Sequence, residues 1–297
     1  MRSDRARWRA RPGWVGVPPP GAAALVRRGE HGRLGRRPVA SRAMSLTMGS
    51  GPFGHRPAGR FNVEIPVREV LFADPSPRWI RAVRAGETVI DSRRAKMLHQ
   101  HGVLARYFVP REDVRFDRLG GVEPMSPPAG APGLDDHVAF AWDDLDAWFE
   151  EDEQLIAHAI DPYHRVDVRR TSRHLVVSVD GVVLADTQRA CALFETGLPT
   201  RWYVPREHVL VDLEPSELRT ECAYKGVASY SSTRAGEVLL ENIAWSYPEP
   251  RHDAAAVRDL VCFFNESVDL DVDGERQERP QTPWAQPGWW RVYTEVR

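Results

Sequence analysis

A cysteine and a lysine lie three residues apart in the stretch TECAYKG at residues 220–226. A cation beside a thiol favours the thiolate, so Cys222 is a candidate nucleophile. Lys225 could instead hold a phosphate or a carboxylate as a compact point charge. A half-buried cysteine and a surface lysine flanking a turn would give the same spacing, and the spacing by itself favours that simpler explanation. Lys225 stands out because the chain has only one other lysine, Lys96.

The chain repeats itself with an offset of 95 residues. Residues 86–117 align without a gap with residues 181–212, and 13 of these 32 positions are identical. Ordinary residue usage would give about 2 matches by chance. The longest identical run, Val-Pro-Arg-Glu, ends at Glu112 and at Glu207. Because both copies keep this run, we expect it to serve the fold, with proline ending a strand and the charged pair stabilising the turn.

Only the second copy has the cysteine–lysine stretch, since the first copy has a Pro/Gly loop at residues 124–132 in its place. We therefore place the candidate site in the second copy. There Lys225 would hold an anion, assisted by an arginine, and an aromatic ring would stack on the ligand. The candidate ligand-binding residues are Lys225, Tyr224, Arg201, Arg206, Trp202 and Trp245.

Both copies open with a predicted β-hairpin, because apolar runs flank the two-residue turns Ala85-Gly86 and Asp180-Gly181. Many short strands with turn signals about every 8–12 residues predict a mainly β protein. The expected architecture is two tandem small curled antiparallel β-sheet domains with short helices. We also expect a helical turn at residues 189–194.

Two charged pairs recur with the same offset. Asp91 and Arg94 correspond to Asp186 and Arg189, and we expect each pair to form a buried ion pair that fixes local geometry. The acidic segment at residues 142–153 is expected to be helical.

Four parts follow along the chain. Residues 1–60 are an arm rich in Arg, Pro and Gly that we expect to be disordered, with translation starting at Met44 or Met48. Residues 61–160 are repeat one, which is divergent, and residues 161–279 are repeat two, which carries the candidate site. Residues 280–297 form a tail rich in Pro and Trp.

Charge and composition exclude several classes of protein. The net charge is −2, and the arm has 13 Arg against Asp4 and Glu30, so the remainder is acidic. An acidic body argues against nucleic-acid binding. Three cysteines without a C-x-x-C pair predict no metal site and fit a reducing cytoplasm, and no apolar run is long enough to span a membrane. No sequence motif identifies a cofactor or sets the oligomeric state.

Repeat two resembles a bacterial family, the domain of unknown function 427, in four stretches: FETGLP at 194–199, YVPRE at 203–207, CAYKGVASY at 222–230 and AWSYP at 244–248. The resemblance runs over about residues 79–272, and the stretches at 142–153 and 161–165 resemble the segment that joins tandem members. It implies a compact β-rich domain in soluble bacterial proteins and no established reaction. The family is sometimes labelled nucleotidyltransferase-like, but this sequence shows no paired metal-binding carboxylates, which such chemistry normally uses. Repeat one lacks the Cys-x-Tyr-Lys-Gly stretch.

The function expected from the sequence is binding of a small anionic or nucleotide-like ligand in repeat two. One alternative is a group-transfer enzyme with Cys222 as nucleophile or Lys225 stabilising charge. The other is a structural scaffold whose tail docks a partner protein.

Overall fold

The computed structural model describes residues 46–47, 49, 51–54, 57–63 and 70–291. The arm predicted to be disordered, residues 1–60, lies mostly outside these residues. In its described part Thr47 is buried, and its hydroxyl donates a hydrogen bond of 3.1 Å to the carbonyl of Gln100. The Gly102 N–H donates in turn to the Thr47 carbonyl at 3.4 Å.

The described residues form a mainly β protein, as the turn spacing predicts. The strands are β1 (Leu71–Pro75), β2 (Ile80–Arg84), β3 (Glu87–Ser92), β4 (Lys96–Gln100), β5 (Val103–Pro110), β6 (His137–Val138), β7 (Ala147–Glu150), β8 (Glu153–Gln154), β9 (Val166–Arg170), β10 (Leu175–Val179), β11 (Val182–Thr187), β12 (Cys191–Glu195), β13 (Arg201–Val204), β14 (Glu214–Cys222), β15 (Gly226–Ala235), β16 (Val238–Ser246), β17 (Val261–Phe263), β18 (Asp269–Val272) and β19 (Glu275–Arg276).

Six short 3-10 helices lie among the described residues. They are Arg111–Asp113, Phe116–Arg118, Trp142–Asp144, Arg206–His208, His252–Val257 and Pro283–Ala285. None of them has the length and the apolar composition needed to cross a bilayer.

Repeat one packs two four-stranded antiparallel sheets around one core. Their strand orders are β1-β4-β5-β6 and β3-β2-β7-β8. The core contains fully buried apolar side chains from both sheets, among them Ile80, Ile90 and Val109. Burial of alternate apolar residues stabilises each sheet against the other.

Repeat two has a four-stranded sheet, β11-β10-β18-β19, and a seven-stranded sheet, β14-β15-β16-β17-β13-β12-β9. Neighbouring residues of β13 bury opposite faces of the larger sheet. Val204 belongs to the core shared with the smaller sheet, whereas Tyr203 belongs to an aromatic core on the other face. The larger sheet ends at β9 on one side and at β14 on the other, and β14 contains an irregularity between Pro215 and Arg219. The predicted limits of the four parts of the chain remain predictions.

The Val-Pro-Arg-Glu run makes the same contact in both repeats. The Arg94 guanidinium forms an ion pair with the Glu112 carboxylate. The Arg189 guanidinium lies 3.6 Å from the Glu207 carboxylate. Both glutamates sit in a 3-10 helix that follows the proline ending a strand or an extended segment. The run therefore follows a strand end, and its glutamate pairs with the connection that leaves the opening hairpin of the repeat.

The predicted pairing of Asp91 with Arg94, and of Asp186 with Arg189, is wrong. Asp91 instead accepts a hydrogen bond of 2.7 Å from Trp79 Nε1, because the returning strand β3 places it opposite the start of β2. Asp186 has the matching contact with His174 Nε2 at 2.7 Å.

Two predicted helical segments are also wrong. Residues 191–195 form strand β12, which pairs with β9 and β13, so tertiary pairing overrides the helical preference of Ala, Leu and Glu. In residues 142–153 only Trp142–Asp144 is helical. Residues 147–150 form strand β7 instead. Its pairing with β2 buries Trp148 in the core of repeat one.

Candidate functional site

Lys225 lies in the tight turn that connects β14 to β15. Gly226 ends this turn with φ of +100°, and a Cβ added there would meet the carbonyl oxygen of Glu249 at 3.0 Å. A side chain at this position would be strained and would collide with backbone, so glycine is required. The Arg251 N–H donates to the Lys225 carbonyl at 3.1 Å and holds the turn against the segment that follows β16.

The ammonium of Lys225 binds the carboxylate of Glu195, with 2.5 Å between Nζ and each carboxylate oxygen. Glu195 is the last residue of β12, and its Oε1 also lies 3.1 Å from His164 Nε2. The side chains of Lys225, Glu195 and His164 are 11%, 5% and 2% exposed. Three titratable groups from three separate segments therefore meet in a nearly closed space.

Both members of the ion pair are charged at neutral pH. Burial by itself would raise the pKa of Glu195, but Lys225 and His164 lower it from 4.5 to about 2. Burial would lower the pKa of Lys225, but the nearby Cys222 sulfur and the Glu195 carboxylate raise it above its ordinary value. The neighbouring groups together therefore outweigh the loss of hydration for both members of the pair.

Aromatic and histidine rings close one side of this cluster. Tyr224 stacks on the His164 ring with 4.1 Å between ring centroids, and its hydroxyl accepts a hydrogen bond of 2.9 Å from the Asp161 N–H. His158 lies 5.6 Å from the same tyrosine ring, and burial lowers its pKa. Burial also raises the pKa of the Tyr224 hydroxyl, so the tyrosine stays protonated at neutral pH. The segment before β9 thus forms a wall of the site.

Cys222 lies at the end of β14 beside Lys225 and is partly exposed. Cys191 and Cys262 are buried, and burial raises the pKa of both thiols. Cys222 is therefore the cysteine best placed to react. No group of His, Cys, Asp or Glu side chains in the described part of the chain could hold a metal ion.

Arg201 and Trp245 lie in a neighbouring cluster on the same face of the seven-stranded sheet. The Arg201 guanidinium binds Glu266 through two hydrogen bonds of 2.7 Å, and Trp245 Nε1 donates to the Tyr203 hydroxyl at 3.0 Å. The guanidinium also lies over the Trp245 ring at 5.5 Å. Arg201 is thus already engaged by a carboxylate of its own chain.

Residues of the tail cover this second cluster. The Thr282 hydroxyl donates to Glu266 at 2.5 Å, and the Trp284 ring lies 5.6 Å from the Arg201 guanidinium. Trp289 packs 5.0 Å from Phe264. The described residues of the tail therefore pack onto repeat two.

Two of the predicted ligand-binding residues lie away from Lys225. Trp202 belongs to the core on the opposite face of the sheet, where the Arg173 guanidinium lies over its ring at 5.6 Å. Arg206 is exposed in the 3-10 helix Arg206–His208. The structure brings Lys225, Tyr224 and Cys222 together and leaves these two residues outside the cluster.

The sequence did not identify Glu195, His164 or His158 as site residues. One signal could have found Glu195, because the aligned position in repeat one is Gln100 and the charge is specific to repeat two. His164 lies in the stretch that resembles a connecting segment, and nothing in its local sequence marks it as a site residue.

Comparison with known families adds one match. A family model described as "Domain of unknown function (DUF427)" matches residues 72–126 and 167–274, together more than half of the chain. The second matched segment contains Glu195, Tyr224 and Lys225, whereas His164 precedes it. None of the curated proteins compared with the chain matches it.

Proposed function

Because this chain belongs to the DUF427 family, whose description names no activity, we propose its function from its own site: it binds a small anionic or nucleotide-like ligand at Lys225. We propose also that the chain consists of two copies of one structural unit, of which only repeat two carries this site. The 95-residue offset and the matching Arg–Glu contacts support the second statement.

One observation supports the ligand site most directly. The Lys225 ammonium has three N–H donors, two of which are used by Glu195, and no further hydrogen-bond partner for it lies among the described residues. Its side chain keeps 11% exposure, so one donor can reach a ligand atom. A phosphate or carboxylate would satisfy this donor with a charge-assisted hydrogen bond.

The cost of burying the cluster supports the same proposal. A buried ion pair is often no more stabilising than apolar residues of similar volume, because both ions lose their hydration. Clusters of charged groups with strongly shifted pKa values are frequent at functional sites. The Tyr224 and His164 rings stack on each other, are buried, and close one side of the space beside the ammonium.

A thermal-shift screen of nucleotides and sugar phosphates tests the proposal, followed by calorimetric titration of the compound that stabilises the protein most. We expect Lys225→Met to weaken binding of that compound by about 10- to 150-fold, as expected for a lost charge-assisted hydrogen bond. The matched control is Lys96→Met, since this lysine lies in repeat one and donates to the Gly133 carbonyl at 2.6 Å. It should leave the affinity unchanged.

Loss of fold must be separated from loss of binding, because Lys225→Met leaves Glu195 buried without its cation. The double variant Lys225→Met, Glu195→Gln removes both charges and should fold more stably than the single variant while still failing to bind. Full affinity in a folded double variant would disprove the proposed site.

A group-transfer reaction is a second candidate, and the position of Cys222 favours it. Cys222 is partly exposed, and its sulfur is close enough to the Lys225 ammonium to raise the pKa of the lysine. In such a step Cys222 Sγ would form the new bond, and the leaving group would depart with the electron pair of the bond that breaks. Turnover that is lost in Cys222→Ser, with ligand affinity retained, would separate this enzyme from a binding protein.

A further inference from the structure

A cleft of about 170 Å³ opens in repeat one, between the β4–β5 hairpin and the loop after residue 124. Leu98 and Phe108 line it from the hairpin, and Met125 lines it from the loop. These three side chains belong to a small apolar cluster that is separate from the main core of repeat one. Leu98 and Phe108 are themselves buried, so the apolar surface open to a ligand comes mainly from Met125 and from the partly exposed Val103 and Leu104.

Polar side chains also line the cleft. Arg106, Gln100 and Ser126 contribute nitrogen and oxygen atoms to a lining that is otherwise apolar. Arg106 is exposed, its guanidinium lies 3.5 Å from the Met125 sulfur, and it forms no ion pair with a carboxylate among the described residues. A guanidinium is a fork of N–H donors that fits a carboxylate through two parallel hydrogen bonds.

In repeat two, the arginine aligned with Arg106 binds a carboxylate of the chain itself. Arg106 aligns with Arg201, which binds the Glu266 carboxylate through two hydrogen bonds of 2.7 Å. Aromatic rings surround that pair, with Phe264 at 5.9 Å and Trp284 at 5.6 Å from the guanidinium. Repeat two thus places a carboxylate and an apolar group at the position where repeat one has an open cleft.

We propose that the cleft of repeat one binds a small monocarboxylate with a compact apolar body. Arg106 binds the carboxylate through two parallel hydrogen bonds, Gln100 and Ser126 offer further hydrogen bonds, and the body packs on Met125, Val103 and Leu104. An engineered apolar cavity of about 150 Å³ holds one benzene ring. The cleft is open to solvent but has a similar volume, so we expect a body no larger than about one aromatic ring or a short branched chain. This site is separate from the one proposed at Lys225.

Calorimetric titration with benzoate and with isovalerate tests the proposal on the full chain. At least one of them should bind the wild-type protein, and the corresponding amide should bind at least about tenfold more weakly, because it lacks the charge. Arg106→Ala should weaken carboxylate binding by at least about tenfold, and Arg106→Lys should restore only part of it. Arg118→Ala is the matched control, since Arg118 is an exposed arginine of repeat one that pairs with Glu87, and it should not change the affinity.

A second variant tests the position of the apolar body without removing a charge. Ser126 lies on the exposed rim of the cleft, and Ser126→Trp should fill the cleft and abolish binding. Absence of binding by both carboxylates at millimolar concentration would overturn the proposal. So would equal affinity in Arg106→Ala, or binding that is lost in Lys225→Met and kept in Arg106→Ala, which would place the carboxylate in repeat two.

Discussion

The guanidinium of Arg201 is bound by the carboxylate of Glu266 through two parallel hydrogen bonds of 2.7 Å each. Their side chains are 7% and 0% exposed, so the pair is removed from water. Removing one member of such a pair leaves the other charge buried without compensation. Arg201 is therefore a residue on which the stability of repeat two depends.

Replacing Arg201 with Ala should lower the free energy of unfolding by roughly 3–5 kcal/mol. Arg206→Ala, which removes an exposed arginine of the same repeat, should change it by less than about 0.5 kcal/mol. Urea unfolding followed by tryptophan fluorescence measures both values. Equal stability of the two variants would show that the Arg201–Glu266 pair contributes little.

The pH dependence of stability should contain a contribution from Glu195. Its pKa in the folded protein is lowered from 4.5 to about 2, so the native state binds this proton more weakly than the unfolded state. The resulting stabilisation is present at neutral pH and is lost as the pH falls from about 4.5 to about 2. A shift of this size corresponds to about 3 kcal/mol.

Unfolding measured at stepwise lower pH checks this contribution. The free energy of unfolding of the wild type should fall more steeply in that window than that of Glu195→Gln. Glu207→Gln is a suitable control because Glu207 is exposed and 3.6 Å from its arginine. Parallel pH profiles for the wild type and Glu195→Gln would contradict the assignment.

Alkylation by iodoacetamide should modify Cys222 before the other two cysteines in the folded protein. Burial protects Cys191 and Cys262 and raises the pKa of both thiols, and a thiolate is the reacting species. Peptide mass spectrometry over time follows each site. Lys225→Met should slow the reaction at Cys222, whereas Lys96→Met should not. An unchanged rate in Lys225→Met would show that the ammonium does not activate the thiol.

Trp289→Ala should destabilise repeat two, because this ring packs 5.0 Å from Phe264 and 5.7 Å from Tyr230. The ring is partly exposed, so we expect a loss of about 1–3 kcal/mol, below the usual cost of deleting a fully buried tryptophan. Gln286→Ala removes an exposed side chain of the tail and should have no measurable effect. Thermal unfolding of the two variants decides whether the tail is a stabilising part of the fold.

Local chemistry made part of the fold predictable. In the first turn φ is 50° at Ala85 and 81° at Gly86, and in the second it is 48° at Asp180 and 82° at Gly181. A two-residue hairpin turn requires such positive φ values at both positions. Strand β12 was not predictable in this way, because its partners β9 and β13 supply the hydrogen bonds that make it a strand. Its residues have a helical preference that pairing overrides.

The same difference applies to the site. Lys225 and Tyr224 are close in sequence, so a single stretch identified both. Glu195 reaches Lys225 across 30 residues, and His164 reaches Glu195 across 31. Such contacts depend on the pairing of β12, so a sequence interpretation that made this segment helical could not place the carboxylate beside the ammonium.

The edge strand β14 limits how the protein can associate with other chains. A free edge strand can pair with a strand from another molecule and so start aggregation. Pro215 has no N–H to donate, and the irregularity between Pro215 and Arg219 interrupts the ladder of regularly spaced backbone groups. A foreign strand that paired along the whole of β14 would meet this interruption, so we expect it to hinder association through that edge.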